Sequence, residues 1–307
     1  MDKYKLHKID IKDYKILKKY FALRPARTCE SIVNNSFIWR DYYNARYYIN
    51  DYGIVFLYDV GEGMFTSSPL CRKEHIYDCV EDMRQYFNNV LDKKLIMCVT
   101  DYDTVEAIKA VTDIYDIRED RRYFDYVYDA CKLRTLSGKA YHKKKNHYNS
   151  FLKAYDGRYE AKILSSDDRE VIFDFLDRWH SARVIKDDYN RDDYEVAGIK
   201  RFLSEMNIVD DDMNMKMFGV YVDGVLEAFT IGTYLHDLRM VFVHVEKANP
   251  DIRGLYAFIN REFQSICFPL AAFVNREDDM GLEGLRQAKM SYNPIYMEKK
   301  YTITEKK

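Results

Sequence analysis

The 307-residue sequence has few of the features that mark special classes of protein. It contains only five prolines and twelve glycines, which favours long regular elements and few flexible linkers. Its six cysteines are scattered without a CxxC pair, and this spacing disfavours both a structural zinc site and a disulfide framework. No apolar run approaches the roughly 20 residues of a membrane span, and residues 1–20 are too charged for a signal peptide. We therefore expect a cytoplasmic protein with reduced thiols.

Motifs of several enzyme classes are also missing. The sequence has no GxGxxG or GxxxxGK[ST] loop, no GxSxG elbow and no HExxH pair. Nucleotide hydrolysis and serine hydrolase chemistry therefore lack support, and we expect no metal site. The formal net charge is −2 and the isoelectric point is about 6.4. Because there is no global positive field to attract nucleic acid, any site for a polyanion must be local.

One order of predicted elements occurs in both halves of the sequence. In the second half, Lys216–Val222 and Val225–Leu235 form a hairpin, because the Asp223–Gly224 pair between them is a strong turn signal. A strand, a helix, a strand, a helix and a last strand then follow, in the order Arg239–Glu246, Ile252–Phe268, Ala271–Val274, Leu282–Met290 and Tyr296–Ile303. The first half has a similar order and ends in a strand at Tyr123–Tyr128.

Three meander strands followed by helix, strand, helix and strand is the order of an acetyltransferase-type (GNAT) N-acyltransferase fold. We therefore predict a mixed α/β (α+β) protein with two tandem GNAT-like domains and mixed sheets. The predicted domains are residues 1–130 and 155–307, and a basic helix at residues 131–154 connects them.

The corner after the apolar run that ends at Val274 combines many charged residues. The segment Asn275–Asp279 lies between a predicted strand and a predicted helix, where α/β folds commonly bind ligands. Gly281 and Gly284 each cost a helix roughly 1 kcal/mol relative to Ala, so they predict a close approach to that backbone. In the alternative interpretation a neighbouring helix makes this approach, and the charges form a solvated rim with Asp279 as an N-cap.

A basic stretch lies between the two halves. Seven basic residues and no acidic one occur from Ala130 to Tyr155. Tyr141 and Tyr148 are predicted to lie on one helical face, which directs Lys143 and Lys144 elsewhere. Such a surface suits phosphate groups, although a charge run is also typical of a solvated helix face.

Three motifs resemble a known family. They are LSGKAYHKKKNHYNSF (Leu136–Phe151), ANPDIRGLYAFINREF (Ala248–Phe263) and VNREDDMGLEGLRQAKMSYNP (Val274–Pro294). The chain resembles stand-alone proteins similar to the C-terminal cytosolic domain of phosphatidylglycerol lysyltransferases, in which two acetyltransferase-type folds lie in tandem. The resemblance implies transfer of an aminoacyl group from aminoacyl-tRNA to a lipid or small-molecule acceptor. Peripheral contact with a membrane is compatible with a lipid headgroup as the acceptor.

The same motifs suggest roles for individual residues. Aminoacyl transfer needs no cofactor, because the ester is already activated and the protein has only to orient, deprotonate and stabilise charge. We predict that the catalytic residues are Glu277, Asp279 and Arg286. Asp278 is a further candidate for the base, and so are His236 and His244, although most such histidines are structural. The residues predicted to bind the donor or its phosphates are Lys143, Lys144, Lys145, Asn146, Asn249, Arg253, Gly254, Arg276 and Lys289.

Two alternatives remain at this stage. The first is an N-acetyltransferase that uses CoA-bound acyl donors, but only Arg253 and Gly254 match the acyl-CoA phosphate motif. The second is a non-catalytic binding protein that has the same fold.

Overall fold

The structure, a computed structural model, describes residues 4–61, 63–184, 191–206 and 214–306. The chain forms two compact units, Met1–Phe124 with Glu298–Lys307 and Asp125–Met297. Over the described residues, no helix has both the length and the apolar character that crossing a lipid bilayer requires.

The strands and helices of the described residues can be numbered in chain order. The strands are β1 (His7–Lys8), β2 (Arg46–Ile49), β3 (Gly53–Asp59), β4 (Met64–Thr66), β5 (Leu70–Cys71), β6 (Ile96–Thr100), β7 (Tyr115–Glu119), β8 (Asp125–Asp129), β9 (Tyr159–Leu164), β10 (Met215–Val222), β11 (Val225–Leu235), β12 (Met240–Ala248), β13 (Phe273–Asn275), β14 (Tyr296–Glu298) and β15 (Tyr301–Glu305). The α-helices are α1 (Tyr14–Phe21), α2 (Val33–Trp39), α3 (Ile76–Asn89), α4 (Tyr102–Lys109), α5 (Ala130–Thr135), α6 (His142–Ala154), α7 (Arg169–Val184), α8 (Arg191–Glu205), α9 (Leu255–Glu262) and α10 (Glu283–Met290).

The first unit is built on a mixed sheet with the strand order β1-β2-β3-β4-β6-β15-β7, and β5 pairs with β3. Helix α3 places Ile76, Val80, Met83 and Phe87 in the core, as the helical spacing of these apolar residues requires. Strand β6 leads into α4, whose N-cap is Asp101. The Asp101 carboxylate accepts from the backbone N–H of Thr104 at 2.8 Å and from Arg24 at 2.7 Å.

The second unit has a mixed sheet with the strand order β14-β8-β13-β12-β11-β10-β9. The Asp223–Gly224 turn between β10 and β11 has positive φ at both residues, which confirms the predicted hairpin. Helices α6 and α9 pack on a core with Phe151, Phe258 and Phe263. The helix predicted at Ile252–Phe268 is α9 followed by a π-helical turn, Phe263–Cys267.

Two strands pair differently from the expectation. The single strand predicted at Tyr296–Ile303 is two strands, and the second of them, β15, lies between β6 and β7 in the first unit. The strand predicted at the end of the first half, β8, pairs with β13 in the second unit. The compact units therefore do not have the limits 1–130, 131–154 and 155–307. Residues 131–154 belong to the second unit, and 298–307 belong to the first.

Candidate active site

The second unit contains a split between two parallel strands. Strand β13 pairs with β12 only through Met240–Phe242 and Phe273–Asn275, whereas β12 continues to Ala248. The β12 register with β11 also shifts, because Ile231 pairs with Val245 and Gly232 pairs with Val243. His244 is therefore the extra residue of a β-bulge, a feature that often redirects a side chain next to a functional site. Beyond the last strand pair, two pairs of polar side chains connect β12 to the segment after β13.

The first of these pairs joins His244 to Glu277. The His244 side chain is fully buried, and its Nδ1 lies 2.9 Å from Oε1 of Glu277. Its Nε2 lies 2.9 Å from the hydroxyl oxygen of Thr233 on β11. Glu277 itself has a left-handed backbone, with φ of +57°, and its N–H donates to Oδ1 of Asn275 at 2.7 Å. In the described part of the chain, Oε2 of Glu277 has no hydrogen-bond partner, so one carboxylate oxygen can accept a proton from a substrate.

The second pair joins Arg276 to Glu246, with Nη2 and Oε1 2.7 Å apart. The guanidinium lies 4.7 Å from the ring centre of Tyr292, and Nζ of Lys144 on α6 lies 3.9 Å from the same ring. Burial, and then the charge of Arg276, lower the pKa of Lys144 to about 8 against an opposing effect of Glu246. Two cations therefore share one carboxylate, an arrangement that favours an added anionic group.

Asp279 and Arg286 form a third pair, which connects the loop after β13 to helix α10. The guanidinium donates in a bidentate manner to the carboxylate, at 3.0 and 3.1 Å, and the hydroxyl of Tyr126 donates to it at 2.5 Å. The N–H of Gly281 donates at 2.8 Å. Burial raises the pKa of Asp279, but the bonds from Arg286, Tyr126 and Gly281 outweigh it and lower the pKa to about 2. A carboxylate with so low a pKa is a poor proton acceptor, so this pair fits a structural role.

Lys289 is buried and holds the same loop. Its ammonium donates to the backbone carbonyls of Arg276 and of Asp278. Burial lowers its pKa. These bonds direct the ammonium of Lys289 into the protein, whereas the ammonium of Lys144 lies against the Tyr292 ring.

The other predicted donor-binding residues lie on α6 and on the loop before α9. Lys143, Lys145 and Asn146 are exposed, and so is Arg253. Asn249 closes its loop by donating to the Glu227 carboxylate at 2.9 Å.

Gly254 has φ of +89°, and a Cβ there would lie 2.1 Å from the carbonyl oxygen of His147. The close approach expected at Gly284 does not occur, since no heavy atom of the described residues outside its own stretch of helix lies within 4 Å of a Cβ there. Gly281 instead adopts a positive φ of +80°.

The structure thus brings Lys144, Arg276 and Glu277 to the split between β12 and β13, while Asp279, Arg286 and Lys289 hold the loop beside it. Sequence reasoning gave no role to Thr233, Glu246 or Tyr126. The only available signal was that a histidine and a glutamate, His244 and Glu246, lie two residues apart on an apolar strand. The β-bulge that gives them different partners cannot be recognised from the sequence.

A family model described as "Phosphatidylglycerol lysyltransferase, C-terminal" matches residues 21–304. A curated relative, uncharacterized protein MYCGA3080 of Mycoplasmoides gallisepticum, is 27% identical over 199 residues, which are 65% of this chain and 61% of that protein. The chain therefore spans about three fifths of the length of this relative.

Two solved structures are similar to the whole chain. A conserved protein of unknown function from Bacteroides thetaiotaomicron is 26% identical, with a TM-score of 0.83, and the match covers 99% of this chain and 100% of that chain. The structure of L-PGS from Bacillus licheniformis is 11% identical, with a TM-score of 0.65, and the match covers 95% and 91% of the two chains. The likeness to the second structure shows the fold alone, and the two mixed sheets confirm the predicted mixed α/β class.

Proposed function

We propose, because this chain belongs to the family of phosphatidylglycerol lysyltransferase C-terminal domains, that it transfers an aminoacyl group from aminoacyl-tRNA to a lipid headgroup or small-molecule acceptor. One observation supports this proposal most strongly. Past the last β12–β13 pair, Glu277 lies beside His244 and Arg276 lies beside Glu246, so a carboxylate and a guanidinium of neighbouring residues border the same split.

In the proposed reaction Glu277 is the general base. The acceptor's hydroxyl or amine attacks the acyl carbon of the aminoacyl ester, and Oε2 of Glu277 takes the proton of the attacking group. The ester bond to the terminal ribose of the tRNA then breaks, and the same proton passes to the leaving ribose oxygen. No electron is gained or lost overall, so the reaction requires no redox cofactor.

His244 keeps the Glu277 carboxylate in position. With a proton on Nδ1, the imidazole donates to Oε1 of Glu277, while Nε2 accepts from the hydroxyl of Thr233. This tautomer holds Oε1 of Glu277 in place and leaves Oε2 to face the acceptor.

Lys144 and Arg276 bind a phosphate of the donor in this proposal. A single carboxylate, Glu246, faces the two cations, so an anion gains attraction from both without displacing the Arg276–Glu246 bond. The exposed Lys143 and Lys145 on α6 extend the same positive charge along the helix for the rest of the tRNA acceptor end.

The test is transfer of a radiolabelled amino acid from charged tRNA, offered separately to phosphatidylglycerol vesicles and to soluble amines. We expect labelled product with one acceptor class. Glu277→Gln should lower the rate by roughly 100-fold, about 2.7 kcal/mol of barrier, with little change in Tm. Glu283→Gln, at an exposed acid on α10, is the matched control and should transfer normally.

Two results would contradict the proposal. Acetyl transfer from acetyl-CoA without aminoacyl transfer would identify the chain as an acyl-CoA enzyme. Binding of charged tRNA without any product would identify it as a binding protein.

A further inference from the structure

A buried thiol lies beside a buried ammonium in the first unit. Nζ of Lys300 donates to Sγ of Cys29 at 3.2 Å and to Oε1 of Glu30 at 2.7 Å. The Lys300 side chain is fully buried, and Cys29 is 3% exposed. A buried lysine is rare unless it is paired, and Glu30 supplies the opposite charge. The proposed aminoacyl transfer uses none of these groups.

The backbone fixes both sides of this contact. Cys29 begins the 3₁₀ turn Cys29–Ser31, and its carbonyl accepts from the N–H of Ile32 at 3.2 Å. Lys300 immediately precedes β15, and its carbonyl accepts from the N–H of Asp120 at 3.0 Å. Two reactive side chains that lie 271 positions apart in the sequence are therefore kept in contact.

The chemistry of these side chains fits oxidation of the sulfur. A cation next to a cysteine stabilises the thiolate, and the thiolate is the form that peroxides oxidise to a sulfenic acid. A sulfenic acid condenses with a nitrogen nucleophile within reach, and Nζ of Lys300 becomes such a nucleophile when it loses a proton. Oε1 of Glu30 is hydrogen-bonded to Nζ, so a proton acceptor is already in place.

We propose that Cys29 and Lys300 form a reversible covalent sulfur–nitrogen bond when the protein meets hydrogen peroxide. In the first step the thiol and one peroxide molecule give the Cys29 sulfenic acid and water, so the sulfur is oxidised and the peroxide is reduced. In the second step Nζ of Lys300 gives one proton to Glu30 and attacks the sulfur. The S–O bond breaks, and the departing hydroxide takes a second proton from the nitrogen and leaves as water.

The bond connects two distant parts of the first unit. It ties the turn before α2 to the residue that precedes β15, which is an interior strand between β6 and β7. Oxidation would therefore fix the last strand of the chain in its sheet. Glu30 returns its proton to solvent, and a thiol reductant reverses the reaction by attacking the sulfur and releasing the amine.

Peptide mass spectrometry tests this proposal on the full chain. The protein is treated with a small molar excess of hydrogen peroxide, its remaining thiols are alkylated under denaturing conditions, and it is digested. We expect a peptide that joins Cys29 to Lys300 and is lighter by about 2 Da than its two components together, because two hydrogens are lost. Dithiothreitol added before alkylation should abolish this peptide.

Three variants test the residue assignment. Cys29→Ser removes the sulfur at nearly constant volume and should give no linked peptide. Cys131→Ser changes an exposed cysteine and is the matched control, which should keep the link. Lys300→Met alone leaves the Glu30 carboxylate without its ammonium, so it is combined with Glu30→Gln to preserve folding. In this double variant a dimedone probe should trap the Cys29 sulfenic acid, and no link should form.

Two results would overturn the proposal. The first is a Cys29 that stays reduced, or that stops at the sulfenic acid, in the unmodified protein while Cys131 is oxidised. The second is a link that persists in Cys29→Ser or that joins Cys29 to a different lysine. The test does not depend on the proposed function, because the linked peptide forms or fails to form whether or not the protein transfers aminoacyl groups.

Discussion

At the scale of single residues, three adjacent acids of one corner have three different environments. Glu277 pairs with the buried His244, Asp278 accepts from the N–H of Met280, and Asp279 pairs with Arg286. The sequence shows that three carboxylates exceed the needs of a helix cap, and this much was predictable. It does not show which acid faces which partner, because that choice depends on the left-handed backbone of Glu277 and on the bulge at His244.

The depressed pKa of Lys144 leads to a prediction about anion binding. Its charged form predominates below about pH 8 and is lost above it. We expect affinity for sulfate, whose charge is constant in this range, to fall roughly fivefold to tenfold between pH 7 and pH 9, because the lysine loses its charge. A bound anion favours the ammonium and shifts the fall to slightly higher pH.

Variants of α6 isolate this titration. Lys144→Arg should keep affinity at pH 9, whereas Lys144→Met should bind weakly at both pH values. Lys143→Met changes an exposed neighbour, and this variant should still lose sulfate affinity as the pH rises. A pH-independent affinity for sulfate in the unmodified protein would show that Lys144 does not bind the anion.

The same lowered pKa makes the free energy of unfolding rise with pH from about 8 to 10.5, since the unfolded chain then binds more protons than the folded one.

At the scale of elements, periodicity and turn signals predicted most helices and the β10–β11 hairpin. The glycines show where sequence reasoning ends. Gly254, Gly281 and Gly284 look alike as residues that cost stability in a helix, yet they serve different purposes. Gly254 allows α9 to begin against the backbone of α6, Gly281 supplies a positive φ, and Gly284 has open space beside it among the described residues. Contact between helices far apart in sequence cannot be derived from either helix alone.

Alanine at two of these glycines should therefore have opposite effects. Gly254→Ala should destabilise the protein by at least about 2 kcal/mol, because it combines an unfavourable left-handed residue with a clash against the His147 carbonyl. Gly284→Ala should stabilise it by up to about 1 kcal/mol, since alanine favours the helix and the space is open. Chemical denaturation measures both changes. A neutral Gly254→Ala would mean that α6 and α9 do not meet closely at this point.

At the scale of the whole molecule, the fold class was predictable and the membership of individual strands was not. Two copies of one element order indicate two similar units, but the alternation and length of a strand do not specify which sheet it enters. The charged pair Lys299 and Lys300 divides the predicted last strand into β14 and β15. Lys300 is fully buried in the first unit, where its ammonium donates to Oε1 of Glu30 at 2.7 Å. The full burial of this lysine is unexpected from sequence alone.

The position of β15 predicts that the last ten residues control the stability of the first unit. Strand β15 pairs with β6 on one side and β7 on the other, so its removal leaves two interior strand edges unpaired and exposes the core around Ile303. We expect a chain that ends at residue 297 to lose hydrogen-exchange protection in β6 and β7, while β10–β12 stay protected because no residue after 297 belongs to their core cluster. Lys299→Ala, at an exposed ion pair with Glu119, is the control and should keep protection throughout. If β6 and β7 remain protected in the shortened chain, β15 is an accessory strand rather than part of the first unit's core.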